Sequence, residues 1–263
     1  MQQNVRLLVR ADDAGSCWAS NQGCLKACVD GIARSVEVMM PCAWVTDAAT
    51  LLSDHPEIDV GIHLTLSSEW EAVKWRPLSS APGLVDRHGF FLPLLQERYG
   101  DDRPSLNGRN WNIDEVAAEF RAQVELGVQL FPRASHISCH MTRHFADFDP
   151  RLGEIVAGLC AEFGLKDDPF GHGLPRFSPY PAHPRDSQAR ISSFVEALGG
   201  LAPGTHIFID HPAVDCGELA ALGHPGYEDV RADRVSCLET LVSPEVQREI
   251  ERLGIELIGY KDL

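Results

Sequence analysis

No apolar run in this sequence approaches the roughly 20 residues that a membrane-spanning helix needs. The opening, "MQQNVRLLVRADD", meets acid after a short apolar patch and has neither an h-region nor a small-residue cleavage site, so the expectation is a cytoplasmic protein with no membrane partner. Basic clusters are also missing. Lys and Arg total 23 against 38 Asp and Glu, a formal net charge of −15, and a phosphate backbone would be repelled, which argues against a nucleic-acid partner. The eight cysteines contain no CxxC pair, and several sit inside apolar segments, so reduced and mostly buried thiols are expected rather than a disulfide framework. There are no internal repeats, low-complexity tracts or interdomain linkers, which leaves one domain over 1–263.

What is present is an alternation of apolar runs with segments of helical period. The spacing predicts strands at 5–11, 35–40, 58–64, 134–139, 205–210 and 255–260, with a weak one at 165–167. Helices are predicted from Asn112, with Glu115 completing a capping-box-like start, from Asp149–Pro150 to Gly164, and from Ser243–Pro244 to Gly254. Shorter ones fit 21–30, 46–54 and 187–198. Repeated strand–helix units imply a parallel sheet, because each parallel neighbour needs a crossover. The fold class is therefore α/β, a distorted, roughly seven-stranded β/α (TIM-like) barrel. Two long stretches, 67–109 and 169–186, break the rhythm.

In such barrels the active site lies at the carboxyl ends of the strands. The first strand ends in Asp12–Asp13, the third in "GIHLTL" with His63, the fourth in "SHISCH" with His136 and His140, and the sixth in "IFIDHPA" with Asp210 and His211. Each has a plain alternative: His63 as a hydrogen-bonded core histidine, Asp13 as a turn or N-cap residue, His211–Pro212 as a rigid turn. Four strands placing titratable groups at one end point instead to a divalent metal site, for which one Asp and two His are a common set. Adjacent strand residues face opposite ways, so both aspartates reach one centre only if the backbone leaves regular β geometry, for which Gly15 is the expected place. Asp13 can then bind the ion while Asp12 serves as base. Trp70, Trp75, Phe90 and Phe91 in the first long stretch suit a sugar ring; loop packing or a homo-oligomer contact are the alternatives.

At these residues the sequence resembles the YdjC family of carbohydrate deacetylases, also called ChbG/HpnK. "LLVRADDAG" looks like its "NADDFG" signature, and "VGIHLTL" is similar to its "GxHLxLT" strand. "EFRAQVELGVQLFPRASHISCHMTRH" is similar to its helix and "THLDSHxHxH" segment. The resemblance implies a metal held by Asp13, His63 and His140, with Asp12 as general base and His211 as general acid. It also implies a divalent ion, for which two histidines and a carboxylate suit zinc by ligand type while the resemblance allows magnesium, and removal of an acetyl group from an N-acetylated sugar. Three positions depart from the pattern. Ser138 stands where the family has a carboxylate two residues before the ligand, Ala14 replaces a phenylalanine, and the histidines after the ligand reduce to His144, a substrate-contact candidate. Ser138 keeps open a non-catalytic sugar-binding descendant, and a metal-dependent amidase or esterase acting on a non-sugar substrate is the other alternative. "ADDAG" lacks the Asp-x-Asp spacing of aspartyl phosphatases.

Overall fold

The structure is a computed structural model that describes residues 4–180 and 186–263, so the end of the second long stretch, 181–185, lies outside it. Among the described residues seven strands form one sheet: β1 (Val5–Ala14), β2 (Ser35–Val38), β3 (Asp59–Leu64), β4 (His136–Cys139), β5 (Lys166–Asp167), β6 (Gly204–Asp210) and β7 (Glu256–Ile258). Every pairing is parallel, in the order β5-β4-β3-β2-β1-β6, with β7 also beside the first half of β1. Each strand falls where the apolar runs predict it. The main difference is β1, which runs on to Ala14 instead of stopping at Ala11.

The sheet is curled, and its inner face is polar. Alternate residues of each strand share a face. One face presents Val36 and Val38, Ile62 and Leu64, and Ile137 and Cys139 to the large core beneath the helices. The other carries Arg10 and Asp12, Ser35 and Glu37, Gly61 and His63, and His136, Ser138 and His140. All of these polar side chains are buried. Arg10 on β1 reaches Asp168, just beyond β5 at the other end of the strand order, with Nη1 donating to Oδ2 at 2.6 Å. That distance is possible only because the sheet wraps round. Tyr260 fills the interior beneath the site: its hydroxyl donates to Asp168 Oδ1 (3.0 Å), and its ring stacks on His136.

The helices are α1 (Trp18–Val29), α2 (Val45–Ser53), α3 (Ile113–Leu130), α4 (Pro150–Phe163), α5 (Ser187–Leu198), α6 (Val230–Leu241) and α7 (Pro244–Leu253). The predicted ends of α4 and α7 are present, with Asp149 and Ser243 as caps and Gly164 and Gly254 in left-handed conformation. Asn112 caps α3 through the Asp114 N–H, but Glu115 does not close a capping box. It accepts the Gly83 N–H at 2.7 Å and pins the long loop to the helix instead. Helix α6 was absent from the expected set. It buries Arg234, Ser236 and Thr240 alongside apolar residues, so it shows no clean apolar stripe. All eight cysteines are free thiols, six of them buried. Among the described residues no helix is long and apolar enough to cross a membrane.

Candidate metal centre

The centre is made possible by a bulge in β1. Ala11 pairs with Val36 and Ala14 with Val38, so two residues of β1, Asp12 and Asp13, stand opposite the single Glu37. Asp13 has φ 69°, a left-handed conformation in which Asp is tolerated better than most residues, and Gly15 follows with φ 88°. The departure from β geometry thus begins at Asp13 itself rather than at Gly15. It turns Asp13 onto the same inner face as Asp12, and the two carboxylates end up side by side.

Asp13, His63 and His140 each offer one ligand atom, and these atoms lie within 4.8 Å of one another. All three residues are buried. Asp13 Oδ1 is 3.3 Å from His140 Nδ1 and 3.9 Å from His63 Nε2, yet it has no hydrogen-bond partner among the described residues. A buried carboxylate oxygen left bare between two imidazole nitrogens is the chemistry of a cation site, and a carboxylate with two imidazoles suits a divalent ion such as zinc. The donor set therefore fits the ion that the resemblance implies.

The outer partners hold these ligands. Asp13 Oδ2 accepts from Arg234 Nη2 at 2.7 Å, and His140 Nε2 lies 3.1 Å from Glu69 Oε2. His63 Nδ1 lies 2.7 Å from Ser138 Oγ, whose hydroxyl donates to Glu37 Oε2. Burial alone would raise the Asp13 carboxyl, but Arg234, His211 and His140 hold it well below the usual carboxylate range. Burial works against a charged His140, yet Glu69 and Asp13 push its pKa up to about 10. For His63, burial together with the neighbouring His140 and Arg10 pushes the pKa well down. Burial likewise favours a neutral Glu37; His136, Arg10 and His63 overcome it and keep the group ionised.

Asp12 stands next to the triad, with Oδ2 3.7 Å from His63 Nε2. Arg10 grips it with two parallel bonds, Nε to Oδ1 at 2.7 Å and Nη2 to Oδ2 at 2.8 Å. Burial raises its pKa above the ordinary aspartate value in spite of Arg10. The four acidic and imidazole groups form the floor of a cavity of about 420 Å³, within the usual range for a small-molecule site. A second cavity of about 420 Å³ adjoins it, and His211 lines both. The His211 side chain is 42% exposed and its Nδ1 is 3.8 Å from Asp210 Oδ1. Its surroundings disfavour the charge by desolvation, but Asp13, Asp210 and Asp12 raise the pKa.

The family described as YdjC-like protein matches residues 6–252 of this chain. The chain belongs to the YdjC-like family. It is 28% identical over 271 residues to a chitooligosaccharide deacetylase of Yersinia enterocolitica, covering 97% of this chain and 98% of that one. A carbohydrate deacetylase of Clostridium beijerinckii is 29% identical over 268 residues, covering 98% and 100%. A crystal structure from Enterococcus faecalis V583, of a protein named for cellobiose-phosphate cleavage, superposes with a TM-score of 0.76 at 22% identity over 98% of each chain. The peptidoglycan N-acetylglucosamine deacetylase Bc1960 gives a TM-score of 0.51 at 10% identity, covering 100% of this chain and 89% of its own. At these identities the two structures speak to the curled α/β fold alone.

In this YdjC-like chain the expected substrate contacts separate. Trp70 lines the cavity, stacked beneath the Arg234 guanidinium at 5.1 Å. Trp75 is buried behind His140, edge-on at 6.3 Å, with its indole N–H donated to the Ser67 carbonyl. Phe90 sits under Arg76, and Phe91 is core. Neither Trp75 nor Phe90 forms part of the cavity wall. His144 is also away from it, because both its ring nitrogens are committed elsewhere: Nδ1 accepts the Ala146 N–H and Nε2 faces Asp167 at 3.1 Å. His136 belongs to the interior pair with Glu37, not to the triad.

Four residues that shape this YdjC-like centre went unread in the sequence: Arg10, Glu37, Glu69 and Arg234. Arg10 and Glu37 carried a detectable signal, since each is a charged residue at the inward-facing period of a buried strand. Glu69, in an irregular loop, and Arg234, on the unexpected helix α6, carried none.

Proposed function

We propose that this protein removes the acetyl group from an N-acetylated sugar of N-acetylglucosamine type, a mono- or oligosaccharide, with a divalent ion (Zn or Mg) held by Asp13, His63 and His140. The observation that carries the proposal is the bare, buried Asp13 Oδ1 between the two imidazoles, beside a second carboxylate and on the floor of a cavity. The names of the curated relatives support the sugar amide as substrate.

A divalent ion bound there would supply Lewis acidity, polarising the acetamide carbonyl and easing deprotonation of water at neutral pH. Asp12 is the residue placed to accept that water's proton. The Arg10 fork fixes the plane of its carboxylate and uses one lone pair of each oxygen, which leaves others for the incoming proton. Its burial disfavours the charged carboxylate and so favours uptake of the proton. His211, on the wall of the same cavity and biased towards its charged form, donates a proton to the departing sugar nitrogen. Acetate and a free amino sugar result. Trp70 offers the one aromatic contact of the original set that reaches the cavity.

The test is acetate release from a panel of N-acetylglucosamine mono- and oligosaccharides, run with Zn²⁺, Mg²⁺, Mn²⁺ or a chelator. Release from at least one sugar, abolished by chelation, is expected. Sugar binding without acetate under every ion would support the non-catalytic descendant, and release only from non-carbohydrate amides or esters would move the substrate class.

A further inference from the structure

The two imidazoles of the triad are held from behind in different ways. His140 turns Nε2 directly to a carboxylate, Glu69. His63 meets only a hydroxyl, Ser138 Oγ, at 2.7 Å from Nδ1. That hydroxyl has a single proton, and the proton is directed to Glu37 Oε2. An ionised carboxylate can only accept, so Ser138 Oγ presents lone pairs to His63, and the facing Nδ1 must carry the ring proton. A neutral imidazole has one N–H, so Nε2 is left bare on the side of Asp13 Oδ1.

We propose that Glu37 and Ser138 act together as positioning residues for the ion site: Glu37 orients the Ser138 hydroxyl, the hydroxyl accepts the His63 Nδ1 proton, and His63 Nε2 is thereby locked as an unprotonated ligand nitrogen. This rests on the reading of Asp13, His63 and His140 as ion ligands. The carboxylate missing at position 138 is supplied from β2.

The fold shows how a carboxylate from β2 reaches β4 with β3 lying between. In register, Glu37 stands opposite Gly61 and Gly61 opposite His136, so the residue between donor strand and target strand is a glycine. A Cβ at Gly61 would run into Glu37 Oε2 and His136 Nε2. The gap lets Glu37 lie across β3, where Ser35 Oγ and His136 Nε2 both bond Oε1 at 2.8 Å and leave Oε2 for Ser138. Two pairs further along the same register, and so on the same face, His63 stands opposite Ser138. All of Ser35, Glu37, His136 and Ser138 are fully buried, so water does not compete for these bonds.

Two measurements test this. In metal-free wild-type protein, ¹⁵N NMR of the His63 ring is expected to show Nδ1 protonated and Nε2 bare; the reverse tautomer overturns the proposal. Ser138→Ala is expected to lose that single-tautomer signature and to weaken Zn²⁺ binding 10- to 100-fold, measured by competition with a chromophoric chelator. Unchanged Zn²⁺ affinity, within twofold, overturns it. Glu37→Gln is expected to weaken Zn²⁺ in the same direction, and the double variant to be little worse than Ser138→Ala alone, because both break one chain; fully additive losses overturn the joint role. If a variant does not fold, the wild-type tautomer still decides. If wild-type protein binds no Zn²⁺, the ion reading fails by itself, and the ring assignment still judges the relay.

Discussion

Arg234 and Asp13 are 221 residues apart in the chain and form a buried ion pair, with Nη2 2.7 Å from Oδ2. The arginine occupies one carboxylate oxygen and aims the other, Oδ1, at the two imidazoles. Replacing it with Met takes from Asp13 its strongest charge partner in a buried setting, leaving only the imidazoles of His140 and His211 near the carboxylate. The expected outcome is a loss of about 3–5 kcal/mol in folding stability in the presence of chelator, with a smaller loss when Zn²⁺ is added. Chemical denaturation with and without the ion checks both parts.

Asp12 and the triad separate base from ligand. Asp12→Asn is expected to keep Zn²⁺ bound while lowering acetate release by about 10²–10⁴, since a general base contributes that much. His63→Ala removes a ligand and is expected to lose both. Full activity in Asp12→Asn would reject the base assignment.

The pH profile should report His211. Asp13, Asp210 and Asp12 raise its pKa in the metal-free protein, and Asp210 still favours the charged ring once an ion sits on Asp13, so the protonated form that serves as acid is present at low pH and disappears as pH rises through the His211 pKa. Activity is therefore expected to hold on the acid side of that point and to fall on the alkaline side. In His211→Asn the alkaline fall should vanish along with most of the rate. A kcat/KM profile of both proteins measures it.

Gly61→Ala should be disproportionately damaging for a single methyl group. The added carbon enters the space of the Glu37 carboxylate and the His136 ring, both buried and bonded to each other at 2.8 Å. Overpacking of this kind costs about 1–3 kcal/mol, and displacing Glu37 adds to it. A lowered melting temperature together with weakened Zn²⁺ binding is the expected pair of results; Gly61→Ala with wild-type values of both would mean the gap is not needed.

The strand order of events along the chain was legible because buried parallel strands are short apolar runs bounded by turn residues and separated by capped helices. The "ADDAG" pair at the end of β1 and the polar ends of β3, β4 and β6 were legible for the same reason: charged and imidazole groups there stand out against apolar neighbours. Helix α6 was not, since Arg234, Ser236 and Thr240 interrupt its apolar stripe. Nor was the placing of Trp75, Phe90 and His144, because loop residues have no periodicity that says which side meets the cavity.

By itself, then, the sequence determined which residues share a face, since side chains alternate along a strand and group Arg10 with Asp12, Ser35 with Glu37, Gly61 with His63 and His136 with Ser138. It could not say which of them meet. Partners across strands depend on register, on the curl that brings Arg10 to Asp168, and on the bulge that turns Asp13 beside Asp12. Those are properties of the curled tertiary arrangement, and they alone decided that Arg234 from α6 completes Asp13 and that Glu37 reaches Ser138 over a glycine.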